Sequence, residues 1–372
     1  MENKSYYNNF VYDWWKNLDK TILFLFIALI VLGIFFSLVS TSLIASSKLG
    51  TNNYYFLTRH IIYISLGLIL IIFFSVIREK DIYKIAITFF ILFFISLILV
   101  PILGDEIKGS KRWLDFPIIP RFQPIEFLKP FLVILLSLVI GSRFTLNNYL
   151  KFFFSTLVVL PILLLLVLQP DIGQTLLISC VWFSLMFISG INLYIFSFLI
   201  LFFSSIFGYF IFYVSKFSYI KFRIKAFFDA TPKENYQSKK ATDAIIDGGF
   251  FGKGIGEGTL NIRVPEAHTD YVISVISEEF GVLFILIILL IFLLITFKVF
   301  KKIPAEKNNT NKLILIGSTL IIIFQVLIHI GVNIRFLPTT GMTLPFLSYG
   351  GSSILSSSIL AGLILNFTKR KI

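Results

Sequence analysis

Glu266, His268 and Asp270 fall together in the run Arg263-Val264-Pro265-Glu266-Ala267-His268-Thr269-Asp270-Tyr271, which closes a long polar loop and leads into an apolar stretch starting near Val272. With Pro265 in a first helical turn, where its missing N–H costs nothing, Glu266 and Asp270 share one helix face four residues apart. At about 100° per residue, Asp270, Ser274, Ser277 and Gly281 then form one stripe with Glu278 at its edge. A polar seam headed by a carboxylate thus enters an apolar segment at the water boundary. Asp270 could simply favour a helix start through the dipole. Its place at the boundary, the seam below it and the basic loops on the same side instead describe a site for an anionic, membrane-anchored substrate. His60 and His329 lie in other apolar segments, outside ligand spacing of His268. A metal site is therefore weakly supported, and His268 reads as a hydrogen-bonding neighbour of Asp270.

Other chemistry-bearing residues sit at segment ends. Glu106-Ile107-Lys108-Gly109-Ser110-Lys111-Arg112-Trp113-Leu114-Asp115 is followed by Gln123-Pro124-Ile125-Glu126-Phe127-Leu128-Lys129-Pro130. Pro124 can open a helix, which places Glu126 and Lys129 at i,i+3 near a membrane face. Ionisable groups inside a span are costly and face a bundle interior or an aqueous cavity; the plainer reading is an ion pair that locks two helices. Asp171 and Gln174 have capping-box spacing, and Asp171 is expected to cap a helix rather than touch substrate. The glycines of Asp247-Gly248-Gly249-Phe250-Phe251-Gly252-Lys253-Gly254 do not match a nucleotide fingerprint, because no strand precedes them and Lys253 is followed by Gly254. They suggest a loop of unusual φ with close backbone approach, for example to a phosphate. Finally, Pro338, Gly341, Pro345, Gly350 and Gly351 imply a broken helix, tolerated in a membrane only against protein or a water-filled cavity.

The elements that must position these groups are transmembrane helices. The chain has 372 residues, 57% of them hydrophobic and 14% charged. Its mean hydropathy of +0.89 excludes a soluble globule. Cys180 is the single cysteine, so disulfides contribute nothing. The formal charge of +13 is scattered between apolar runs without a basic arm or aromatic reading surface. That disfavours nucleic acid and favours an anionic lipid or membrane surface. Allowing about 20 apolar residues per crossing, spans are expected from Thr21 to about Ile44 and near 57–77, 82–102, 124–141, 151–168, 172–190, 193–214, 272–297, 312–334 and 342–366. The fold class is all-α: a polytopic integral membrane protein of about ten helices, read as one domain over 1–372. It has a tail at 1–19, outer loops at about 103–123 and 215–271, and the larger of these between helices 7 and 8. Outside those loops and Lys129, only Lys48, Arg59 and Arg335 oppose a much larger basic set on the side of the termini. The termini are therefore expected in the cytoplasm.

These blocks together resemble the SEDS proteins (shape, elongation, division and sporulation), membrane glycosyltransferases of bacterial cell-wall synthesis. Lys108 to Trp113, Gln123 to Glu126, Gln169-Pro170-Asp171-Ile172-Gly173, Pro265 to Asp270, Glu278-Glu279-Phe280-Gly281 and Leu344 to Ser353 occur in family order over nearly the whole chain. Trp14-Trp15, the Glu106 entry, Glu126 to Pro130 and Pro265 to His268 are more similar to the division-type than to the elongation-type members. Ile125 stands where the family usually has Ser, and Tyr271 where it usually has Phe.

The resemblance implies polymerisation of lipid II, an undecaprenyl-pyrophosphate-linked disaccharide pentapeptide, at the outer face of the cytoplasmic membrane during septal wall synthesis. It implies a class B penicillin-binding transpeptidase and other division proteins as partners. It assigns Asp270 as the catalytic carboxylate, with Glu126, Lys129 and Ser348 as cavity neighbours. Asp270 would act as general base on the acceptor hydroxyl, while Lys111, Arg112, Lys253 and Arg263 stabilise the departing pyrophosphate. Glu266 and His268 complete the expected surroundings. No cofactor is implied, and no motif supports a divalent cation. A lipid flippase and a non-catalytic scaffold for the transpeptidase are the competing readings, as is an elongation-type polymerase.

Overall fold

The computed structural model describes residues 12–38, 54–107, 110–117, 120–141, 147–214, 217–218, 221, 224–225, 227, 236–259, 264 and 267–369. Its elements are α1 Lys20–Phe36, α2 Tyr55–Val76, α3 Glu79–Leu103, β1 Asp105–Ile107, β2 Ser110–Trp113, α4 Pro124–Gly141, α5 Asn148–Leu168, α6 Ile172–Ile188, α7 Leu193–Tyr213, α8 Tyr236–Gly248, α9 Val272–Phe280, α10 Val282–Lys302, α11 Asn309–Asn333 and α12 Gly351–Phe367. Seven of them, α2, α3, α4, α5, α7, α10 and α11, are long and apolar enough to cross a membrane, and α1, α6 and α12 are shorter apolar helices. The chain is a polytopic helical membrane protein.

The helices sort by burial. α4, α11 and α12 are mostly buried and form the centre, whereas α7 presents nearly all its apolar surface outward. Small residues allow the central helices to touch. A Cβ on Gly67 would lie 2.5 Å from Ser358 Oγ, and one on Gly362 would lie 2.8 Å from Phe74 Cβ, so α2 and α12 meet through residues without bulk. One end of the bundle is fastened by ions. Asp19 caps α1 by accepting from Ile22 N, and its Oδ2 lies 2.5 Å from Lys302 Nζ at the end of α10. Lys302 also donates to Thr368 O just past α12 at 2.9 Å.

Three expectations need correction. First, the span placed at 272–297 is broken at Gly281, whose φ of +83° ends α9 before α10 starts. The glycine-rich loop makes the break possible. Val282 N and Leu283 N donate to Gly249 O and Phe250 O, while Lys253 N and Gly254 N donate to Glu278 O and Glu279 O. Donors at the start of α10 and acceptors at the end of α9 are thereby satisfied. The close backbone approach read from these glycines is made to this break: a Cβ on Gly248 would lie 2.0 Å from Ser277 O.

Second, the stripe does not run from Asp270 as continuous helix. α9 starts at Val272 with Tyr271 as its cap, and Asp270 occupies the preceding turn. Third, residues 342–350 are not helical, so the last helix begins at Gly351. They are held instead as a largely buried loop, with Phe346 at φ +65° and its carbonyl against α1, where a Cβ on Gly33 would lie 2.1 Å away. The outer loops also hold ordered elements. The antiparallel pair β1–β2 and a bridge between Leu114 and Phe122 order the first loop, and α8 lies within the second.

Candidate active site

Asp270 is half-buried in the turn leading to α9. Its main-chain carbonyl accepts a 3.1 Å hydrogen bond from Asn333 Nδ2 at the end of α11, and the same amide donates to His329 O at 2.8 Å. The carboxylate faces the loop after α11: a Cβ placed on Gly341 would lie 3.6 Å from Asp270 Oδ2 and 3.7 Å from Arg112 Nη1. Gly341, at φ +73°, thus leaves space that any other side chain would fill.

Arg112 reaches this point from β2. Its guanidinium donates to Pro170 O and lies 3.7 Å from Asp171 Oδ1, with only 14% of the side chain exposed. Asp171 also accepts from Gln123 Nε2 at 2.9 Å and caps α6 through Gln174 N at 3.3 Å. The capping role expected for Asp171 is present, and the same carboxylate aligns Arg112. Lys111 precedes Arg112 on the strand, so its side chain leaves from the opposite face. It sits opposite Glu106 in the register.

Pro124 opens α4, which sets Glu126 and Lys129 one turn apart. Lys129 Nζ lies 2.9 Å from Glu126 Oε2, and both side chains are almost fully buried. Burying two charges is tolerable only where further hydrogen bonds complete them. Gln174 Nε2 donates to Glu126 Oε1 at 2.5 Å, and Lys129 donates to Gln325 Oε1 at 3.2 Å. Gln325 Nε2 donates onward to Thr343 O at 3.0 Å and Ser353 Oγ at 3.2 Å. The pair therefore joins α4, α6, α11 and the loop before α12 in one buried network. Its hydrogen bonds and ion pairs go to one another and to the two glutamines, and Asp270 is not among their partners.

The remaining residues are divided. His268 packs in an aromatic group, with tilted rings whose centroids lie 5.0 Å from Phe56 and 6.0 Å from Tyr349, and its carbonyl accepts from Tyr349 N at 2.9 Å. Burial pushes the Tyr349 phenol up, Tyr63 adds to the shift and Arg59 opposes it. Ser348 is buried, and its Oγ accepts from Leu344 N at 2.8 Å, so it fastens its own turn. Lys253 pairs with Asp247 and is anchored to Glu278 O, at the end of α9 away from Asp270. Arg263 and Glu266 lie outside the described residues. Among the described residues no three His, Cys, Asp or Glu side chains form a metal-binding group.

Two contributors escaped the sequence reading, Gln325 and Asn333. With His329 they recur every fourth residue in the apolar run of α11, a spacing that places them on one face.

Relatives match this chain along most of its length. The Haemophilus influenzae protein named "Probable peptidoglycan glycosyltransferase FtsW" is 31% identical, covering 95% of this chain and 93% of its own. The Coxiella burnetii protein of the same name is 32% identical, covering 93% and 95%. Among solved structures, Rod shape determining protein RodA of Thermus thermophilus superposes with a TM-score of 0.69 at 24% identity, covering 95% of this chain and 97% of that one. A chain from the structure described as "Structural coordination of polymerization and crosslinking by a peptidoglycan synthase complex" gives 0.72 at 24% identity, covering 94% and 97%. These two establish the shared fold. A family model described as "Cell cycle protein", FTSW_RODA_SPOVE, matches residues 19–371, and the chain belongs to this family.

Proposed function

We propose that this chain is a peptidoglycan glycosyltransferase of the division type, polymerising lipid II into glycan strands at the outer face of the cytoplasmic membrane. The observation that carries the reading is the convergence of the Asp270 carboxylate and the Arg112 guanidinium on Gly341. An acid–base group and a cation on either side of one small space suit a reaction in which a hydroxyl loses its proton while a diphosphate departs.

Asp270 takes the proton from the acceptor 4-hydroxyl as that oxygen bonds to the donor's anomeric carbon. The bond from this carbon to the lipid pyrophosphate breaks on the opposite side, giving inversion to a β-1,4 linkage. A positioned base contributes typically about 10²- to 10⁴-fold. Arg112, oriented by Asp171, stabilises the charge that develops on the leaving group. Lys111, on the opposite face of β2 from Arg112, adds positive charge to the same outer loop. Lys253 serves the α9–α10 break instead. Glu126 and Lys129 shape the interior on which the loop before α12 rests. A class B transpeptidase and other division proteins act as partners at the septum, with both termini in the cytoplasm.

Detergent-solubilised protein supplied with lipid II and a class B transpeptidase separates this reading from transport, since a micelle offers no second leaflet. Glycan strands are the expected product. Their absence under conditions where a relative makes them would remove the reading.

A further inference from the structure

α11 carries a polar stripe whose members act on different parts of the site. Gln325, His329 and Asn333 are four residues apart and at most 2% exposed. Gln325 holds Lys129 and the Thr343 carbonyl. His329 Nδ1 lies 2.7 Å from Met342 O, next to Gly341. Asn333 Nδ2 donates to Asp270 O, and Thr242 of α8 reaches the Asn333 carbonyl at 3.4 Å. Eight residues of helix span about 12 Å. One rigid element therefore sets the height of the Lys129 pair, the Gly341 loop and the Asp270 turn relative to one another.

We infer that Asn333 is a positioning residue for the transfer reaction, fixing the Asp270 carboxylate through the main-chain carbonyl of Asp270. The inference rests on the reading of Asp270 as the base. Asp270 lies in a turn outside α9, so its carbonyl belongs to no ladder of that helix. The Asn333 amide gives this turn a fixed partner on a buried helix. Without the Asn333 donor the turn loses this tie to α11 and can shift, and displacement by about 1 Å can cost about 10²-fold in rate. Asn333 Oδ1 is buried without a hydrogen-bond partner, so the side chain is held by its two donor bonds alone.

The test is the isosteric variant Asn333→Asp, with Asn333→Ala as the second variant should the first accumulate poorly. Both are assayed with purified lipid II and the transpeptidase, alongside heat denaturation. The expected result is a fall in kcat per folded molecule of at least about 10-fold, with KM for lipid II within about two-fold, beyond any drop in melting temperature that loss of two buried donor bonds brings. A purely structural role would lower the melting temperature and leave kcat of the folded fraction intact. Wild-type kcat in the folded fraction overturns the inference. Asp270→Asn, assayed in parallel, separates the two claims. If it is inactive while the Asn333 variants are fully active, only the positioning role falls. If it is fully active, the base assignment falls and the positioning role with it.

Discussion

The Asp270 carboxylate and the Arg112 guanidinium approach the same point from different elements, each within 4 Å of where a Gly341 side chain would begin. Neither is paired to the other: Arg112 makes its ion pair with Asp171. Gly341, at a left-handed φ, presents no Cβ to the space beside them.

Gly341→Ala is therefore expected to act twice. A left-handed alanine costs about 1–2 kcal/mol, and the methyl enters the space between the two charged groups. Polymerisation should fall by about 10²-fold, more than the loss of stability explains. Rate per folded molecule, measured with the melting temperature, checks this; a near-normal rate would remove Gly341 from the site.

The Glu126–Lys129 pair can be judged by taking it apart. Removing one partner of a buried pair leaves an uncompensated charge, at a cost of about 3–5 kcal/mol. Lys129→Met should thus be much less stable than the double variant Lys129→Met with Glu126→Gln. If the pair only locks helices, the double variant should retain activity in proportion to its stability. Activity lost from a stable double variant would show a part in catalysis.

The glycines of the second loop make a paired prediction. Gly249 and Gly252 both have positive φ, but a Cβ on Gly252 would lie 2.2 Å from Glu279 O, whereas nothing lies within 4 Å of one on Gly249. Gly249→Ala should cost about 1–2 kcal/mol. Gly252→Ala should cost clearly more, because the loop must leave the α9–α10 break. Thermal midpoints of the two variants decide the point, and equal values would contradict it.

A pH dependence follows from Asp19. Burial alone would raise its pKa, but Lys302 and the α1 amides hold it below the ordinary value of 3.8. Because the folded value is the lower one, the stabilisation is present above the unfolded Asp pKa. It is lost as pH falls through the folded value. The stability gap between wild type and Asp19→Asn should be constant near neutrality and close below about pH 4. A gap that widens on acidification would reverse the sign.

What the sequence made legible followed periodicity and spacing. Apolar runs located the ten apolar segments, Pro124 marked the start of α4, and Asp171 the cap of α6. The i,i+3 spacing of Glu126 and Lys129 foretold their ion pair. Hydropathy could not show the break at Gly281, because the stretch 272–297 as a whole stays apolar despite Glu278 and Glu279. The signal lay in distant glycines whose backbone supplies the missing hydrogen bonds. It also extended the last helix through 342–350, where buried side chains are held by turns instead. The glycines around Lys253 suggested close backbone approach, for example to a phosphate, and that approach is made to the α9–α10 break. Gln325 and Asn333 were passed over because single amides in a long apolar helix carry no charge to attract notice, although their four-residue spacing with His329 was visible.

Asp270→Asn tests the central claim most directly, since it removes the proton-accepting charge while keeping size and hydrogen-bonding capacity. Purified with its transpeptidase and given lipid II, the variant should bind both yet make glycan strands at least about 10²-fold more slowly than wild type. Strand synthesis at the wild-type rate would contradict the assignment of Asp270 as the base.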